Sequence, residues 1–371
     1  MAEPVPTEEK ATVAPEVDDT KKEGDGEGNV ESDDDGETLK ECRSKRGQTL
    51  FCAVSAGQSK PDEPTVGTPL RKDEVVVRYG LHSVQGCRPE MEDDHKCVHR
   101  GQADPETPHI NKAGEPTPKK FDVDDDNYNP HPETSFFGVY DGHAGTAAAN
   151  FLRKNLHRAV LSHPQLLEDP ETAAKEGIAT VEQNFMSYAD EQRLDAGSTL
   201  AIALIVGTEL VVANVGDSEV VLNRNGSAVI LTTIHNMRKN ESEEERVRAC
   251  GGRIHHKRLG HPRYNPAFFS IAVTRSIGDL FFKTGKFTDG KDSGLIADAD
   301  TRKVTLTTDD KFVIIGCDGL WDVMSYQQAI DFTEARLQEG KSCQSISEEL
   351  VNEALNMGST DNITALLITL K

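Results

Sequence analysis

The sequence predicts an α+β fold, with antiparallel sheets and long helices packed outside them, in one domain of roughly 300 residues. Three observations predict it. Apolar runs of strand length, at residues 199–206, 209–215 and 218–224, are separated only by Gly207-Thr208 and Gly216-Asp217, and two-residue breaks with Gly suit antiparallel hairpins rather than strand–helix–strand crossovers. Longer stretches carry apolar residues at helical spacing. No internal repeat and no interior linker divides the chain, although its 371 residues would allow two domains.

Taken in order, residues 1–72 hold few large apolar side chains and many Glu, Asp, Lys, Gly and Pro. Such a segment cannot bury enough surface to offset ordering entropy, which predicts a disordered acidic N-terminal tail. Within it Glu31-Ser32-Asp33-Asp34-Asp35 resembles an acidophilic kinase site, although a solvated acidic tail is the simpler reading. The folded domain is then 73–371. Residues 75–79 read as a strand, and 99–133, rich in Pro, Asp and Asn, as a polar surface insertion. Residues 135–140 form a buried strand ending at Asp141-Gly142-His143. A helix should follow, with Ala147, Ala148, Phe151, Leu152 and Leu156 on one face, and a second near 172–190, where Ile178, Val181, Phe185 and Tyr188 share a stripe. After the three strands, 243–249 looks helical and stops at Gly251-Gly252. Residues 311–317 and 363–370 are further buried strands, and between them Ile346, Leu350, Val351, Ala354 and Leu355 mark a helix face.

Composition narrows the function. The chain carries 63 acidic and 41 basic residues, a formal charge of −22. The first 40 residues hold 14 of the acids and 4 of the bases, so much of the acidity belongs to the tail. An acidic field argues against nucleic acid and anionic membrane as partners. No apolar run approaches the roughly 20 residues of a membrane helix. The opening Met1-Ala2-Glu3-Pro4-Val5 has neither the basic nor the apolar part of a leader, and no Gly follows Met1 to accept a myristoyl chain. Seven cysteines (Cys42, Cys52, Cys87, Cys97, Cys250, Cys317 and Cys343) form no CxxC pair. Reduced thiols in a cytoplasmic protein are expected, with the nucleus open as a second location.

Acidic residues recur next to Gly in polar breaks between apolar runs. Asp141 precedes Gly142, Asp217 follows Gly216, Asp318 precedes Gly319, Asp361 shortly precedes the last strand, and Glu92-Asp93-Asp94 lies between Gly86 and Val98. A single Asp-Gly is most simply a turn. Five such segments together suggest strand ends that converge on one sheet edge. Crowded carboxylates repel one another unless a cation neutralises them, and oxygen-only ligands suit Mg²⁺ or Mn²⁺. Competing chemistries lack their motifs. No cysteine stands six positions before an arginine, as a cysteine phosphatase requires, and neither GxSxG nor GxxxxGK[ST] occurs.

At this point the chain resembles the metal-dependent, type-2C protein serine/threonine phosphatases, over about residues 75–371. The segments that carry the resemblance occur in the family's order: Arg88-Pro89-Glu90-Met91-Glu92-Asp93, Val139-Tyr140-Asp141-Gly142-His143, Gly197-Ser198-Thr199, Ala213-Asn214-Val215-Gly216-Asp217-Ser218, Ala272-Val273-Thr274-Arg275-Ser276-Ile277-Gly278-Asp279, Cys317-Asp318-Gly319-Leu320-Trp321-Asp322-Val323 and Ser359-Thr360-Asp361-Asn362-Ile363-Thr364. The resemblance implies a four-layer α/β/β/α sandwich, two central antiparallel sheets flanked by helices, and hydrolysis of phosphoserine and phosphothreonine in proteins by a metal-bridged hydroxide. It further implies Asp141 bridging two Mg²⁺ or Mn²⁺ ions, the Gly142 carbonyl on one of them, and Asp318 and Asp361 on the other. Glu92 acts at the pair with Asp93 behind it, and Asp217 with Asp318 forms a third, weaker site. Arg88 holds the substrate phosphate and His143 is the general acid. Partners are phosphoprotein substrates in signalling, and the protein is expected to be a monomer.

The sequence departs from the family at three places. Ala144 replaces a Gly, Glu219 replaces an Arg, and Ile234-His235 replaces an Asp-His pair. None is an expected ligand of the metal pair. Glu219 and Ile234 motivate an alternative reading, a pseudophosphatase of the same fold that binds or regulates without turnover. Residues 253–269 and 283–293 border the expected substrate cleft, and Lys257, Arg258 and Arg263 there could favour phosphopeptides or be solvated loop charge.

Overall fold

The computed structural model describes residues 67–99, 129–131 and 133–370. Ten strands build two five-stranded sheets. They are β1 (Arg78–Val84), β2 (Asp94–Val98), β3 (Thr134–Tyr140), β4 (Leu200–Val206), β5 (Glu209–Val215), β6 (Glu219–Arg224), β7 (Ser227–Ile230), β8 (Asp300–Thr305), β9 (Asp310–Gly316) and β10 (Ile363–Thr369). One sheet has the order β8-β5-β4-β3-β2 and the other β1-β10-β9-β6-β7, with every pairing antiparallel.

The central strands are apolar on both faces because both faces are covered. In β3, Phe137 and Val139 point between the sheets, where they meet Ala201, Val212, Val220, Val313 and Leu366. Phe136 and Tyr140 point outward to Leu152, Leu156 and Phe185. Those three belong to α1 (Ala147–Leu161) and α2 (Pro170–Gln192). The opposite face of the second sheet, through Val221, Phe312, Ile314 and Leu367, is covered by α4 (Tyr326–Gln338) and α5 (Cys343–Asn356). A smaller cluster joins α3 (Glu241–Ala249), through Val247, to Leu259 and Leu295. The four expected layers are present, and the helix faces named from periodicity are the buried ones.

Two of the expected strand readings need correction. The break at Gly207-Thr208 makes the predicted hairpin, since Val206 pairs with Glu209. The break at Gly216-Asp217 does not, because β5 and β6 lie in different sheets. Gly216 (φ +99°) carries the chain across, and a Cβ there would stand 2.5 Å from Thr199 Cβ. This crossing leaves Asp217 between the sheets. The first strand is also displaced: it starts at Arg78, not at residue 75, and continues to Val84.

The folded chain also begins before residue 73. Leu70 is buried among the residues between the sheets. Its N–H donates to the Leu306 carbonyl at 3.0 Å, and Thr308 N–H donates to the Thr68 carbonyl at 2.9 Å. Leu70→Ala should therefore cost about 2 kcal/mol and lower the melting temperature by roughly 5 °C. An unchanged melt would show that the segment is passive. The proposed tail is otherwise outside the described residues, as are 100–128 of the proposed insertion. Within that insertion Asn129 is buried rather than on the surface, and its Nδ2 donates to the Thr134 carbonyl at 2.9 Å.

Candidate metal centre and active site

All five acidic segments emerge at one end of the sandwich. Asp94 pairs with Tyr140 at the end of β3, Gly316 pairs with Ala365 near the start of β10, and Val84 pairs with Ile363. Asp141, Asp318, Asp361 and Asp93 therefore leave their strands side by side, and the Gly216 crossing adds Asp217. An oxygen of Asp93, one of Asp141 and the Cys317 thiol all lie within 4.8 Å of one another.

Charge crowding governs these groups. Burial pushes the Asp141 carboxyl well above the usual range, helped by Asp318, Asp93, Asp217 and Asp361. Asp318 is pushed up to about 8, by burial and then by Asp217 and Asp361. Asp93 is pushed up to about 6, chiefly by burial. Asp217 also moves upward through burial, although Asn236 Nδ2 donates to its Oδ2 at 2.9 Å. Thr364 Oγ1 donates to Asp93 Oδ2 at 2.7 Å, whereas the buried Asp93 Oδ1 has no hydrogen-bond partner. An orphaned carboxylate oxygen inside a cluster of like charges is the signature of a site that fits a cation. The donors are overwhelmingly carboxylate oxygens, as hard divalent ions require.

Glycines let the backbone close around the centre. A Cβ on Gly142 would meet the Glu92 carbonyl oxygen at 2.4 Å, and one on Gly319 would meet the Asn362 carbonyl oxygen at 2.0 Å. Glu92 does not join the carboxylate cluster directly. Its Oε1 accepts from Gly145 N–H at 2.5 Å, beside the start of α1. Asp93, expected behind Glu92, lies nearer the centre, beside Asp141 and Cys317. Arg88 stands at the rim, half exposed, with Nη2 donating to Asp361 Oδ2 at 2.6 Å.

His143 is partly buried, and its Nε2 lies 2.9 Å from both carboxylate oxygens of Asp279. Burial would lower its pKa, but the Asp279 carboxylate outweighs burial and the net shift is upward.

Several participants had no role assigned from sequence. Asn362 Oδ1 accepts from Glu92 N–H at 2.7 Å, while its Nδ2 donates to the carbonyls of Gln85 and Glu90 at 2.8 and 3.0 Å. It thus ties the loop between β1 and β2 to the strand end that bears Asp361. Asp322 adds to the charge on Asp217 and Asp318 and accepts from Lys239 Nζ at 2.8 Å. Asp279 faces His143 across 136 residues of chain. All three lie inside the quoted motifs, so their presence was visible and their contacts were not.

The departures fall beside the centre. Glu219 is buried, its carboxyl accepts from Tyr326 Oη at 2.9 and 2.8 Å, and burial pushes it up to about 7. His235, next to Ile234, accepts from Gly216 N–H through Nδ1 at 3.1 Å and meets Asp300 through Nε2 at 3.2 Å. It braces the sheet crossing that presents Asp217.

Fold and site together define a four-layer sandwich protein with an acidic centre suited to divalent cations at one end. The family model for protein phosphatase 2C matches residues 77–363, and the chain belongs to that family of protein serine/threonine phosphatases, hydrolases that depend on Mg²⁺ or Mn²⁺. It is 33% identical over 342 residues to probable protein phosphatase 2C 54 of Oryza sativa subsp. japonica, covering 87% of this chain and 86% of that one. It is 31% identical over 323 residues to protein phosphatase 1F of Homo sapiens, covering 85% of this chain and 61% of that one. Among solved structures, serine-threonine phosphatase 2C from Toxoplasma gondii superposes with a TM-score of 0.59 at 20% identity, covering 83% of this chain and 99% of that one, a likeness of fold.

Proposed function

We propose that this protein hydrolyses phosphoserine and phosphothreonine in protein substrates, with two divalent ions held by Asp141, the Gly142 carbonyl, Asp318 and Asp361, and Asp217 contributing to a weaker third position. The observation that carries this reading is the convergence of Asp93, Asp141, Asp217, Asp318 and Asp361 around an oxygen without a partner. When bound, the ions supply an activated water and Lewis-acid polarisation of the phosphoryl group. Asp93, anchored by Thr364, orients the carboxylates around it. Arg88 can pair with the phosphate through guanidinium nitrogens that make no contact among the described residues, a planar two-point match that lysine lacks. His143 gives its proton to the departing seryl or threonyl oxygen. Cytoplasmic or nuclear phosphoproteins, met by a monomer, are the substrates proposed.

Purified protein with Mn²⁺ should release phosphate from a phosphothreonine peptide, and EDTA should stop it. Inhibitors of the other serine/threonine phosphatase class should have little effect, since its GDxHG motif is absent. Folded protein without turnover in either Mg²⁺ or Mn²⁺ would instead favour the pseudophosphatase reading, for which Glu219 is the specific motive. Neither Glu219 nor Ile234 is among the proposed metal ligands, which is why turnover is the preferred reading.

A further inference from the structure

We propose that Asp279 is the positioning residue of His143, committing the ring's Nε2 and leaving Nδ1 to face the departing oxygen. The proposal rests on the reading of His143 as general acid. Both oxygens of Asp279 lie 2.9 Å from Nε2, and the Asp279 side chain is only 6% exposed. Nδ1 makes no hydrogen bond among the described residues.

The pair is built into the fold. Residues Gly142–His143, Gly197–Ser198 and Ile277–Gly278 form a small antiparallel sheet in which Gly197 pairs with His143 on one side and Gly278 on the other. The middle strand must be glycine at that point. A Cβ on Gly197 would come within 2.2 Å of Asp279 Oδ2 and 2.3 Å of His143 Nε2, so the missing side chain is the space that the His–Asp pair fills.

Asp279 itself is held in a left-handed conformation, φ 59° and ψ 53°, which favours residues such as Asn and Asp over most others. Its N–H donates to the Ala196 carbonyl at 3.1 Å, and Ser276 Oγ donates to its Oδ2. The loop is clamped from outside. Glu182 of α2 accepts from Gly278 N–H at 2.8 Å and from Lys283 Nζ at 2.7 Å, and Lys283 Nζ also donates to the Ser276 carbonyl at 2.6 Å. These contacts over-determine where the carboxylate sits, and a carboxylate fixed in this way fixes the ring.

The consequence concerns one proton. As the bond from phosphorus to the seryl oxygen breaks, its electron pair stays on that oxygen, which takes the proton from Nδ1. The ring keeps Nε2–H on Asp279 and ends neutral. A ring free to rotate would present the proton in the right direction only part of the time.

Asp279→Asn keeps the shape and suits the left-handed backbone. In the Mn²⁺-loaded full chain it should lower kcat on a phosphoserine peptide about 10²-fold, with KM within about threefold. On p-nitrophenyl phosphate, whose leaving group needs no proton, kcat should fall by less than about fivefold. Adding the change to His143→Gln should cost nothing further. Ser276→Ala keeps the Asp279 carboxylate but removes one of the bonds that fix it, and should give the same split between substrates at about tenfold, which keeps the proposal testable if Asp279→Asn folds poorly. Equal losses on both substrates, or additivity with His143→Gln, would overturn the role of Asp279. If His143→Gln itself fails to separate the two substrates, the general-acid reading falls and the proposal with it.

Discussion

Asp141→Asn is expected to cut turnover about 10³-fold or more, while raising the melting temperature of the metal-free protein. The first effect follows from position. Asp141 is buried among other carboxylates, with Asp318, Asp93, Asp217 and Asp361 all acting on it. In the proposed site Asp141 would hold the divalent ions, and removing its charge should then cost several kcal/mol of transition-state stabilisation, each 1.36 kcal/mol being about tenfold in rate. The second effect has the opposite sign because the same crowding is unfavourable without cations. The unfolded chain ionises this carboxyl near its usual value of about 3.9, while burial and the neighbouring carboxylates make ionisation harder in the folded chain. Asn carries no such penalty. Phosphopeptide kinetics with Mn²⁺, paired with melting in EDTA, checks both halves. A variant that melts lower than wild type in EDTA would show that Asp141 has a structural duty beyond its charge. One that keeps a tenth of wild-type activity would remove Asp141 from the centre of the proposed site.

The acidic centre was legible because its residues interrupt apolar runs beside glycine, a local pattern. What lay beyond local pattern was missed. A two-residue Gly break looks the same whether the next strand pairs with the last or crosses to another sheet, so the sequence predicts a hairpin at Gly216-Asp217 where the chain makes the crossing that presents Asp217. Strand β8, Asp-Thr-Arg-Lys-Val-Thr, lies at a sheet edge with no residue fully buried, and an edge strand with one apolar residue carries no alternation to detect. Leu70 is a lone leucine in a polar stretch, and its burial depends on Leu306, far along the chain. The His143–Asp279 pair has the same character: each residue sits in a recognisable motif, and only the small sheet through Gly197 brings them together.

Metal should stabilise the protein more strongly as pH rises from 6.5 to 8. The pKa values of Asp318, pushed up to about 8, and Asp141, well above the usual carboxylate range, lie above their unfolded values. Such groups contribute stability that is fully present below the unfolded pKa and lost as pH rises through the folded one. The opposing groups act elsewhere on the scale. His95 is lowered to about 4 and His157 to about 3, both mainly by burial, and Glu243 is lowered to about 2 because its bonds to Arg246, Arg275 and Thr274 outweigh burial. The histidines lose their contribution as pH falls below about 6.5, and Glu243 loses its own below about 4. Toward pH 8 the two histidines and Glu243 are deprotonated in both states, and the crowded carboxylates dominate together with Glu219, pushed up to about 7. Each group still protonated there costs about 1.4 kcal/mol per pH unit, so the metal-free melting temperature should fall by roughly 4 °C or more between pH 6.5 and 8. A bound divalent ion neutralises the same carboxylates, and binding to the folded state alone adds stability by mass action. The melt in excess Mg²⁺ should therefore be nearly flat over this range, and the gap between the two curves should widen. Melting in EDTA and in Mg²⁺ at four pH values is sufficient to measure this gap. Parallel curves would mean that the ions do not bind at Asp141 and Asp318.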